Sequence, residues 1–225
     1  PTSDVVLTIT SDDTGEATVP ASVTFTAADW DTPQTVTVTG VDDSIIDGTV
    51  TSTITVAVDD ANSDDDFDGL DDQTVSVDTL DDDVAGFTIE ETDGSTEVDE
   101  SGSTDIFTIV LDAQPTNDVV VLATASNDET EATVSGSITF TSENWDTPQT
   151  VTVTGVDDDL VDGDQTYDIT ISIVDTISDD EFDGVADQSV SSTTLDDDAP
   201  GFTIEETDAA TEVDESGSTD IFTVV

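Results

Sequence analysis

Acidic side chains stand in tight clusters along this chain of 225 residues, which holds 57 Asp or Glu but no Lys, Arg or His. Two carboxylates about 4 Å apart repel by about 4 kcal/mol at an effective dielectric constant near 20. Several such pairs would cancel most of the roughly 5–15 kcal/mol by which a domain is normally stable. Because the sequence supplies no cationic side chain, the clusters predict a bound metal cation.

The kinds of side chain present select among metals. Ca²⁺ takes about six to eight oxygen ligands in flexible geometry, which clustered carboxylates and backbone carbonyls supply. Zinc, copper and iron fit poorly because the chain has no His and no Cys. Magnesium prefers tight octahedra that retain water. We therefore expect Ca²⁺, and the alternative is that the acidic runs are solvated loops.

The sequence repeats itself with a separation of 115 residues. The segment "DTPQTVTVTGVDD" at 31–43 returns unchanged at 146–158, and "EVDESGSTDIFT" at 97–108 returns at 212–223. A period of this length is the size of a whole domain. The repeat predicts three parts, which are the later strands of a first repeat whose first strands are missing (1–83), a complete repeat (84–198) and the first strands of a third repeat (199–225).

Apolar residues alternate with polar ones along the complete repeat, as in Phe107, Ile109 and Leu111 and again in Tyr167 and Ile169. The residues between them are largely Thr and Ser, which tolerate a half-solvated strand face. Turn residues separate these runs, and none of them has helical spacing. About seven strands in roughly 110 residues predict an all-β fold of tandem immunoglobulin-like antiparallel β-sandwiches with Greek-key topology.

Three segments of the complete repeat, taken in order, resemble the Calx-beta domain family. They are "GFTIEETDGSTEVDESGSTDIFTIVL", "ITFTSENWDTPQTVTVTGVDDDLVDGDQTYDITI" and "TTLDDDAPGFTI". That family includes cytoplasmic calcium sensors of sodium–calcium exchangers and tandem repeats of bacterial surface proteins. The sequence of this chain resembles the bacterial repeats more closely. The resemblance covers essentially the whole chain and implies an extracellular or cell-surface location on a bacterium.

The same resemblance implies a calcium site at one tip of the sandwich. In the complete repeat its ligands would be Glu90 with Glu91 as the alternative, Asp128, Asp157, Asp158, the Leu160 carbonyl, Asp162, Asp196, Asp197 and Asp198. In the earlier copy they would be Asp13, Asp42, Asp43, Asp47, Asp81, Asp82 and Asp83. Gln165 stands where the exchanger sensors carry a further glutamate, so we expect fewer or weaker ions per tip than in those sensors.

A second candidate calcium site is "DDDFDG" at 64–69, which matches the D-x-D-x-D-G opening of an EF-hand loop. Its acids are Asp64, Asp66 and Asp68, and the copy at 179–184 offers Asp179, Glu181 and Asp183. The bidentate glutamate expected at the twelfth position is instead Val75, and no flanking helices are evident. A calcium-binding turn and a solvated hairpin loop therefore both stay open.

Composition excludes several functions. A Ser–His–Asp or Cys–His catalytic site cannot be built without His or Cys, so we expect no enzyme. A basic patch is impossible, so nucleic acid and anionic membrane surfaces are not expected as partners. Membrane insertion is not expected either, because no apolar run approaches about 20 residues.

Three functional hypotheses remain. The first is a calcium-loaded rigid spacer in a large extracellular adhesin or surface fibre, with neighbouring repeats as partners and a linker of about two residues after Asp198. The second is a filament of identical chains, in which 201–225 donates strands to 1–83 of a neighbour, although a window of a longer chain produces the same pattern. The third is a calcium-sensing or glycan-binding module. A site that binds a cell-surface or glycan receptor would lie elsewhere in the full-length protein.

Overall fold

The computed structural model describes residues 1–126, 130–207 and 210–225. Within these residues it contains seventeen β-strands and four short 3-10 turns, with no α-helix. The predicted all-β class is therefore confirmed. None of the described helical segments is long and apolar enough to cross a membrane.

The first six strands belong to an open region, here called the N-terminal sheet (residues 1–83). Their bounds are β1 (Val5–Ser11), β2 (Ala17–Thr18), β3 (Ser22–Phe25), β4 (Thr39–Gly40), β5 (Val50–Val58) and β6 (Gln73–Thr79). Four of them pair in the order β3-β1-β5-β6, whereas β2 and β4 form a separate two-stranded ribbon. Val5 and Ile9 are buried on β1, as the alternating pattern predicts.

The next nine strands form two facing sheets, here called the closed sandwich (residues 87–195). Their bounds are β7 (Phe87–Glu91), β8 (Thr96–Asp99), β9 (Thr104–Leu111), β10 (Val119–Ala125), β11 (Ala132–Val134), β12 (Ser137–Phe140), β13 (Gln149–Gly155), β14 (Gln165–Ile173) and β15 (Gln188–Leu195). One sheet has the order β12-β10-β14-β15-β8 and the other β11-β13-β9-β7.

The connections give Greek-key topology. Consecutive strands β9 and β10 lie in different sheets, as do β13 and β14, while the hydrogen-bonded neighbours are β9 with β13 and β10 with β14. The pairings are antiparallel except for β8, which runs parallel to β15 with Thr96 opposite Ser192. The first-strand region thus divides between the sheets, with β7 in one and β8 in the other. This parallel edge pair is absent from the predicted antiparallel arrangement.

The core of the closed sandwich follows the period-two pattern. Phe107 on β9 and Val151 on β13 face Ile169 on β14, and Phe140 and Phe182 fill the space beside them, all fully buried. Burying one such side chain contributes about 1.5–3 kcal/mol. Many of the intervening Thr residues, such as Thr150 and Thr170, are exposed, whereas Thr96, Ser192 and Thr194 are buried.

The N-terminal sheet touches the closed sandwich through the loop that follows β4. Ile45 forms an isolated parallel bridge with Gln114, whose backbone N–H donates to the Ser44 carbonyl at 2.7 Å. Ile46 packs against the core of the closed sandwich. The two parts are therefore joined by a specific contact as well as by the chain.

Two short strands lie beyond the closed sandwich, β16 (Ile204–Glu206) and β17 (Phe222–Val224). They pair antiparallel and, with the other described residues of 201–225, are here called the C-terminal ribbon. The side chains of both strands are exposed.

Candidate metal centre

Three chain segments converge at one tip of the closed sandwich. Strand β13 ends at Gly155, β15 ends at Leu195 and β8 ends at Asp99. Leu195 pairs with Asp99, and the Gly155 backbone lies so close to the Asp99 carbonyl that a Cβ there would be 1.9 Å from its oxygen. The acidic loops that follow these strands therefore start side by side.

Glu100, Asp158 and Asp198 meet at this tip, each with one carboxylate oxygen within 4.8 Å of the others. Glu100 is 1% exposed, whereas Asp158 and Asp198 are half-buried. Pairing of β8 with β15 positions Glu100, whose backbone N–H donates to the Leu195 carbonyl at 3.2 Å. These three residues are here called the acidic triad.

Buried oxygens without partners show what this tip needs. One carboxylate oxygen each of Glu100, Glu131 and Asp198 is buried and has no hydrogen-bond partner within the described part of the chain. A buried acceptor left unpaired costs about 1–3 kcal/mol, and more when it is charged. A cation held by the triad would satisfy the unpaired oxygens of Glu100 and Asp198, so the residues present fit Ca²⁺.

The pKa values at the tip record the same mismatch. Burial raises the pKa of Glu100, and the charges of Asp196 and Asp158 raise it further, against a hydrogen bond from the Asp197 backbone that lowers it. Burial is also the main cause of the raised pKa values of Glu131 and Asp198, with neighbouring carboxylates adding to it. A cation would reverse these shifts by favouring the ionised forms.

Local hydrogen bonds fold the loop that presents the triad. Asp158 Oδ1 accepts from Leu160 N–H at 2.6 Å. Asp196 uses both oxygens in the same way, accepting from Gly163 N–H at 2.7 Å and from Asp198 N–H at 2.8 Å. Asp196 thereby ties the loop after β13 to the segment after β15, which fixes the distance between Asp158 and Asp198.

The N-terminal sheet carries a matching arrangement. Asp43 Oδ1 accepts from Ile45 N–H at 2.7 Å, and Asp81 accepts from Gly48 N–H and Asp83 N–H, both at 2.8 Å. A cleft of about 30 Å³ lies between these loops, and its acidic lining consists of Glu16, Asp42, Asp43, Asp47, Asp81, Asp82 and Asp83. The repeat spacing of 115 places the counterpart of Glu100 before residue 1, so the triad has only two members here, Asp43 and Asp83.

Burial raises pKa values in this cleft as well. Glu16 and Asp47 are shifted upward first by burial and then by neighbouring carboxylates, including Asp43 and Asp81. Burial also raises the pKa of Asp83, and the charges of Asp81 and Asp82 add most to that effect. At both tips, therefore, burial and neighbouring carboxylates raise the pKa of acidic side chains.

The predicted site residues divide into several groups. Asp158 and Asp198 lie in the triad, Asp162 and Asp196 are close enough to raise the pKa of Glu100, and the Asp197 backbone hydrogen-bonds to it. The side chains of Asp157 and Leu160 are exposed, and Asp128 lies outside the described residues. Asp13, in the earlier copy, folds back to accept from Gly15 N–H at 2.9 Å and raises the pKa of Glu16.

Glu90 and Glu91 are not part of the triad. Glu90 lies on β7 opposite Thr108. Thr108 is four residues along β9 from Thr104, the first residue of that strand at the tip, so Glu90 lies about 13 Å from the tip. Glu91 accepts a hydrogen bond from Thr96 Oγ1 at 2.9 Å. The first-strand region crosses to the other sheet after Glu91, and its glutamate at the tip is Glu100.

Sequence reasoning missed Glu100 and Glu131. A signal for each existed, because "ESGS" occurs at 100–103 and 215–218 and "EATV" occurs at 16–19 and 131–134. Both glutamates stand next to strand ends, at the same position in each copy.

The EF-hand-like turns have a different structure from the tip. Asp179 Oδ2 accepts from Asn117 N–H at 2.6 Å and Thr116 Oγ1 at 2.9 Å, and its Oδ1 accepts from Glu181 N–H at 3.1 Å. Burial raises the pKa of Asp179, but these hydrogen bonds outweigh it and the net shift is downward. Oδ2 thus fastens the turn to the segment just before β10, and Oδ1 caps the turn itself.

The copy in the N-terminal sheet repeats this fastening. Asp64 accepts hydrogen bonds from Ser3 N–H at 2.9 Å, Asp66 N–H at 3.2 Å and the backbone and hydroxyl of Thr2, and these donors lower its pKa. The other predicted turn ligands, Asp66, Asp68, Glu181 and Asp183, are exposed. These bonds account for both turns as structural caps, and calcium binding by them stays a prediction.

No protein-family model matches this sequence, and no curated protein matches it. Similar solved structures include domains 1–6 of the surface layer protein SbsC, at 18% identity and a TM-score of 0.39, covering 96% of this chain and 24% of that one. Domains 4 and 5 of SbsC match at 18% identity and a TM-score of 0.36, covering 84% and 70% of the two chains. CBD12 from CALX1.2 matches at 15% identity and a TM-score of 0.30, covering 76% and 68%. This chain spans about a quarter of the first structure, and all three likenesses are remote.

Proposed function

We propose that this chain is a calcium-stabilised structural repeat of an extracellular surface protein, acting as a rigid spacer. The observation that carries the proposal is the acidic triad of Glu100, Asp158 and Asp198, with its buried and unpaired carboxylate oxygens. Asp158 and Asp198 are also two of the ligands that the resemblance to Calx-beta domains implies. No Lys, Arg or His exists to neutralise the triad from within the chain.

Stiffness would come from the position of the metal loops at the joint. The loop between β4 and β5 carries the acids Asp43 and Asp47 and, between them, Ile45 and Ile46, which contact the closed sandwich. An ion that orders this loop would also fix the residues that hold the joint, and bending between sandwiches would be restricted.

The loop between β13 and β14 has the same design on the far side of the closed sandwich. Leu160 and Val161 occupy the positions of Ile45 and Ile46, and both are exposed. Asp158 and Asp162 flank them as Asp43 and Asp47 flank the isoleucines. We infer that Leu160 and Val161 contact the next sandwich in an array, beside its own calcium-bound tip.

The coupling of calcium binding to folding determines how much the ion stabilises the folded chain. A ligand that binds only the folded state stabilises it by about 2.7 kcal/mol when its free concentration is 100 times the dissociation constant. Extracellular calcium modules bind in the range of about 10⁻⁴ to 10⁻³ M. A spacer of this kind is loaded outside a cell and would soften wherever calcium is scarce.

Calorimetric calcium titration of the whole chain tests the proposal. Glu100→Gln keeps the shape of the side chain but removes one ligand charge, and we expect calcium affinity at one site to fall by about tenfold or more. Glu97→Gln is the matched control, because Glu97 lies on β8 three residues before Glu100 and has an exposed side chain. Identical isotherms for wild type and Glu100→Gln would refute a calcium centre at the triad.

Small-angle scattering tests the spacer role separately. With calcium we expect an extended particle, and after chelation a more flexible one with a shorter mean end-to-end distance. The double variant Ile45→Ser and Ile46→Ser should soften the particle even with calcium bound, because it removes the apolar joint and leaves the acids in place. A scattering profile that chelation leaves unchanged would contradict calcium stiffening.

A further inference from the structure

Three buried hydroxyl groups form a hydrogen-bonded chain inside the closed sandwich, near its metal tip. Tyr167 on β14 pairs with Ser192 on β15, and Ser192 Oγ donates to the Tyr167 hydroxyl at 3.1 Å. The Tyr167 hydroxyl lies 3.2 Å from Thr194 Oγ1, which donates to the Glu131 carbonyl at 3.2 Å. The three side chains are buried and are here called the hydroxyl relay. The relay connects β14 and β15 to Glu131, the residue before β11 of the other sheet.

The number of protons fixes the direction of the relay. A threonine hydroxyl has one proton, and Thr194 uses it on the Glu131 carbonyl, so Tyr167 is the donor in its bond to Thr194. Tyr167 therefore accepts from Ser192 and donates to Thr194. Hydrogen bonds in such a chain polarise one another, which strengthens the last bond of the series. Tyr167 thus supports a bond to Glu131 that it does not itself make.

The Glu131 carbonyl is held from two sides. It accepts from Val156 N–H at 2.8 Å as well as from Thr194 Oγ1. Val156 stands two residues before Asp158 in the chain, and Thr194 stands four residues before Asp198. The backbone of Glu131 is therefore clamped between the two segments that carry these members of the acidic triad.

The carboxylate of Glu131 belongs to the same charged region. Its Oε2 is buried without a hydrogen-bond partner in the described part of the chain. Burial raises the pKa of Glu131, and the charges of Asp162 and Asp158 raise it further. Since Asp158 is a triad member, the charge of Glu131 adds to the attraction of this tip for a cation.

The earlier copy repeats the clamp without the rest of the relay. The Glu16 carbonyl accepts from Thr79 Oγ1 at 3.2 Å and from Val41 N–H at 2.9 Å. The two other relay positions are occupied there by Ser52 and Val77. The Ser52 hydroxyl is buried and has no hydrogen-bond partner among the described residues. The clamp is thus common to both copies, and the two further hydroxyls are specific to the closed sandwich.

We propose that the hydroxyl relay positions Glu131 for calcium binding at the acidic triad, with Tyr167 as a positioning residue that does not touch the ion. This inference rests on the proposed calcium function. A carboxylate whose backbone is held in place before the ion arrives loses less freedom on binding, so the ion binds more tightly. Partners that orient the groups around a metal typically change its affinity by about 10–100-fold when they are removed.

Substitutions at Thr194 separate the hydroxyl from the shape of the side chain. Thr194→Val keeps the shape and removes the hydroxyl, and we expect calcium affinity at the triad, measured by calorimetry on the whole chain, to fall by about tenfold. Thr194→Ser keeps the hydroxyl and should bind calcium as the wild type does. Tyr167→Phe should cause a smaller loss, because the bond to Glu131 remains. Ile171→Val is the control for core packing, since Ile171 is buried on β14 outside the relay, and it should leave the affinity unchanged.

Tyr167 is the only tyrosine of the chain, so it offers a direct probe of the relay. Tyrosine isotopically labelled at Cζ gives one nuclear magnetic resonance signal, which responds to the hydrogen bonds of the hydroxyl. We expect calcium to shift this signal in the wild type and in Thr194→Ser but not in Thr194→Val. Without calcium, Thr194→Val should already move the signal, because the acceptor of the Tyr167 hydroxyl is gone. A purely structural role of Thr194 predicts no loss of the calcium response in a variant that still binds the ion.

A double variant tests whether Thr194 acts through Glu131. If it does, Glu131→Gln combined with Thr194→Val should bind calcium no more weakly than Glu131→Gln alone. Additive losses would overturn the relay. Calcium binding that depends on Glu100 but is unaffected by Thr194→Val, or that leaves the Tyr167 signal of the wild type unmoved, overturns the relay and leaves the calcium function standing. Isotherms that Glu100→Gln does not change overturn the calcium centre at the triad and the role of Glu131 with it.

Discussion

One stretch of thirteen residues folds in two ways within this molecule. "DTPQTVTVTGVDD" at 146–158 contains the seven-residue strand β13, whereas the identical residues at 31–43 contain only the two-residue strand β4. The difference lies in the neighbours, because β13 pairs with β9 from Gln149 to Thr154 and β4 has only β2. Strand formation here is therefore a consequence of pairing and burial, with local sequence supplying only the capacity for it.

The turns before these segments are the same in both copies. Gln149 Nε2 donates to the Thr139 carbonyl at 3.0 Å, and Gln34 Nε2 donates to the Thr24 carbonyl at 2.6 Å. The side chains of Asn144 and Asp29 each accept from a threonine N–H three residues earlier, at 2.6 Å. Hydrogen bonds between residues close in sequence thus form whether or not the sandwich is complete.

The largest expected effect comes from truncating the Phe107 side chain on β9, which is buried in the closed sandwich, whereas its counterpart Phe222 in the C-terminal ribbon is exposed. Phe107→Ala should destabilise the closed sandwich by about 3–5 kcal/mol, because a fully buried ring leaves a cavity between the sheets. Phe222→Ala makes the equivalent change on the exposed ribbon and should stay within about 0.5 kcal/mol. Urea unfolding followed by Trp145 fluorescence, in a Trp30→Phe background at concentrations where the chain is monomeric, measures both.

Equal costs for the two phenylalanines would break the comparison. That result would mean that the ribbon is already packed in the isolated chain or that β9 contributes little to the closed sandwich. A cost confined to Phe107→Ala would show that the partner strand, and not the thirteen-residue segment, carries the stability of this region.

A smaller effect on the free energy of unfolding is expected from substituting the glycine near the end of each copy of the repeated segment. Gly155→Ala should cost about 1–3 kcal/mol, because the new Cβ would lie 1.9 Å from the Asp99 carbonyl and force β8 away from β13. In Gly40→Ala the same methyl group would meet nothing nearer than Thr79 Cγ2 at 4.0 Å, an ordinary contact distance. The same unfolding experiment should show no change for Gly40→Ala, and similar costs for both would contradict the close approach of β8.

The sequence predicted what depends on local pattern. Alternation at Phe107 and Ile109 identified strands, and turn residues separated them. The Calx-beta resemblance named Asp158 and Asp198, which the structure places beside one another at the tip. The crossing of the first-strand region from β7 to β8 was not predictable in this way, because it depends on pairing with β15, almost 100 residues later. Glu100 was missed for that reason, since its place at the tip follows from the crossing.

The turn acids show a second limit of the sequence. Asp64 and Asp179 fit an EF-hand pattern by spacing alone, yet their oxygens accept hydrogen bonds from residues about 62 positions earlier in the chain. Spacing within a loop indicates which of its side chains lie close together. It does not indicate which backbone N–H groups from distant parts of the chain donate hydrogen bonds to them. Only the fold distinguishes a capping carboxylate from an unpaired one.

The smallest expected effect is a reversal in the pH dependence of stability at the triad. Without calcium, the raised pKa values of Glu100, Glu131 and Asp198 mean that the folded state binds more protons than the unfolded state above their usual values of 4.5 for Glu and 3.8 for Asp. Stability then falls as pH rises through this window and levels off above the raised values. Acidification from pH 7 toward 5 should therefore raise the melting temperature of the calcium-free chain.

With saturating calcium the sign should be opposite, because protons compete with the ion for the same oxygens and acidification releases it. Asp99 and Asp179 do not disturb this window, since their lowered pKa values cost stability only below their usual value of 3.8. Relief of the overall negative charge also favours the acidified chain, and Glu97→Gln controls for it by removing one exposed charge. Glu100→Gln should flatten both slopes relative to Glu97→Gln, and parallel curves for the two variants would show that the triad has no special part in the pH dependence.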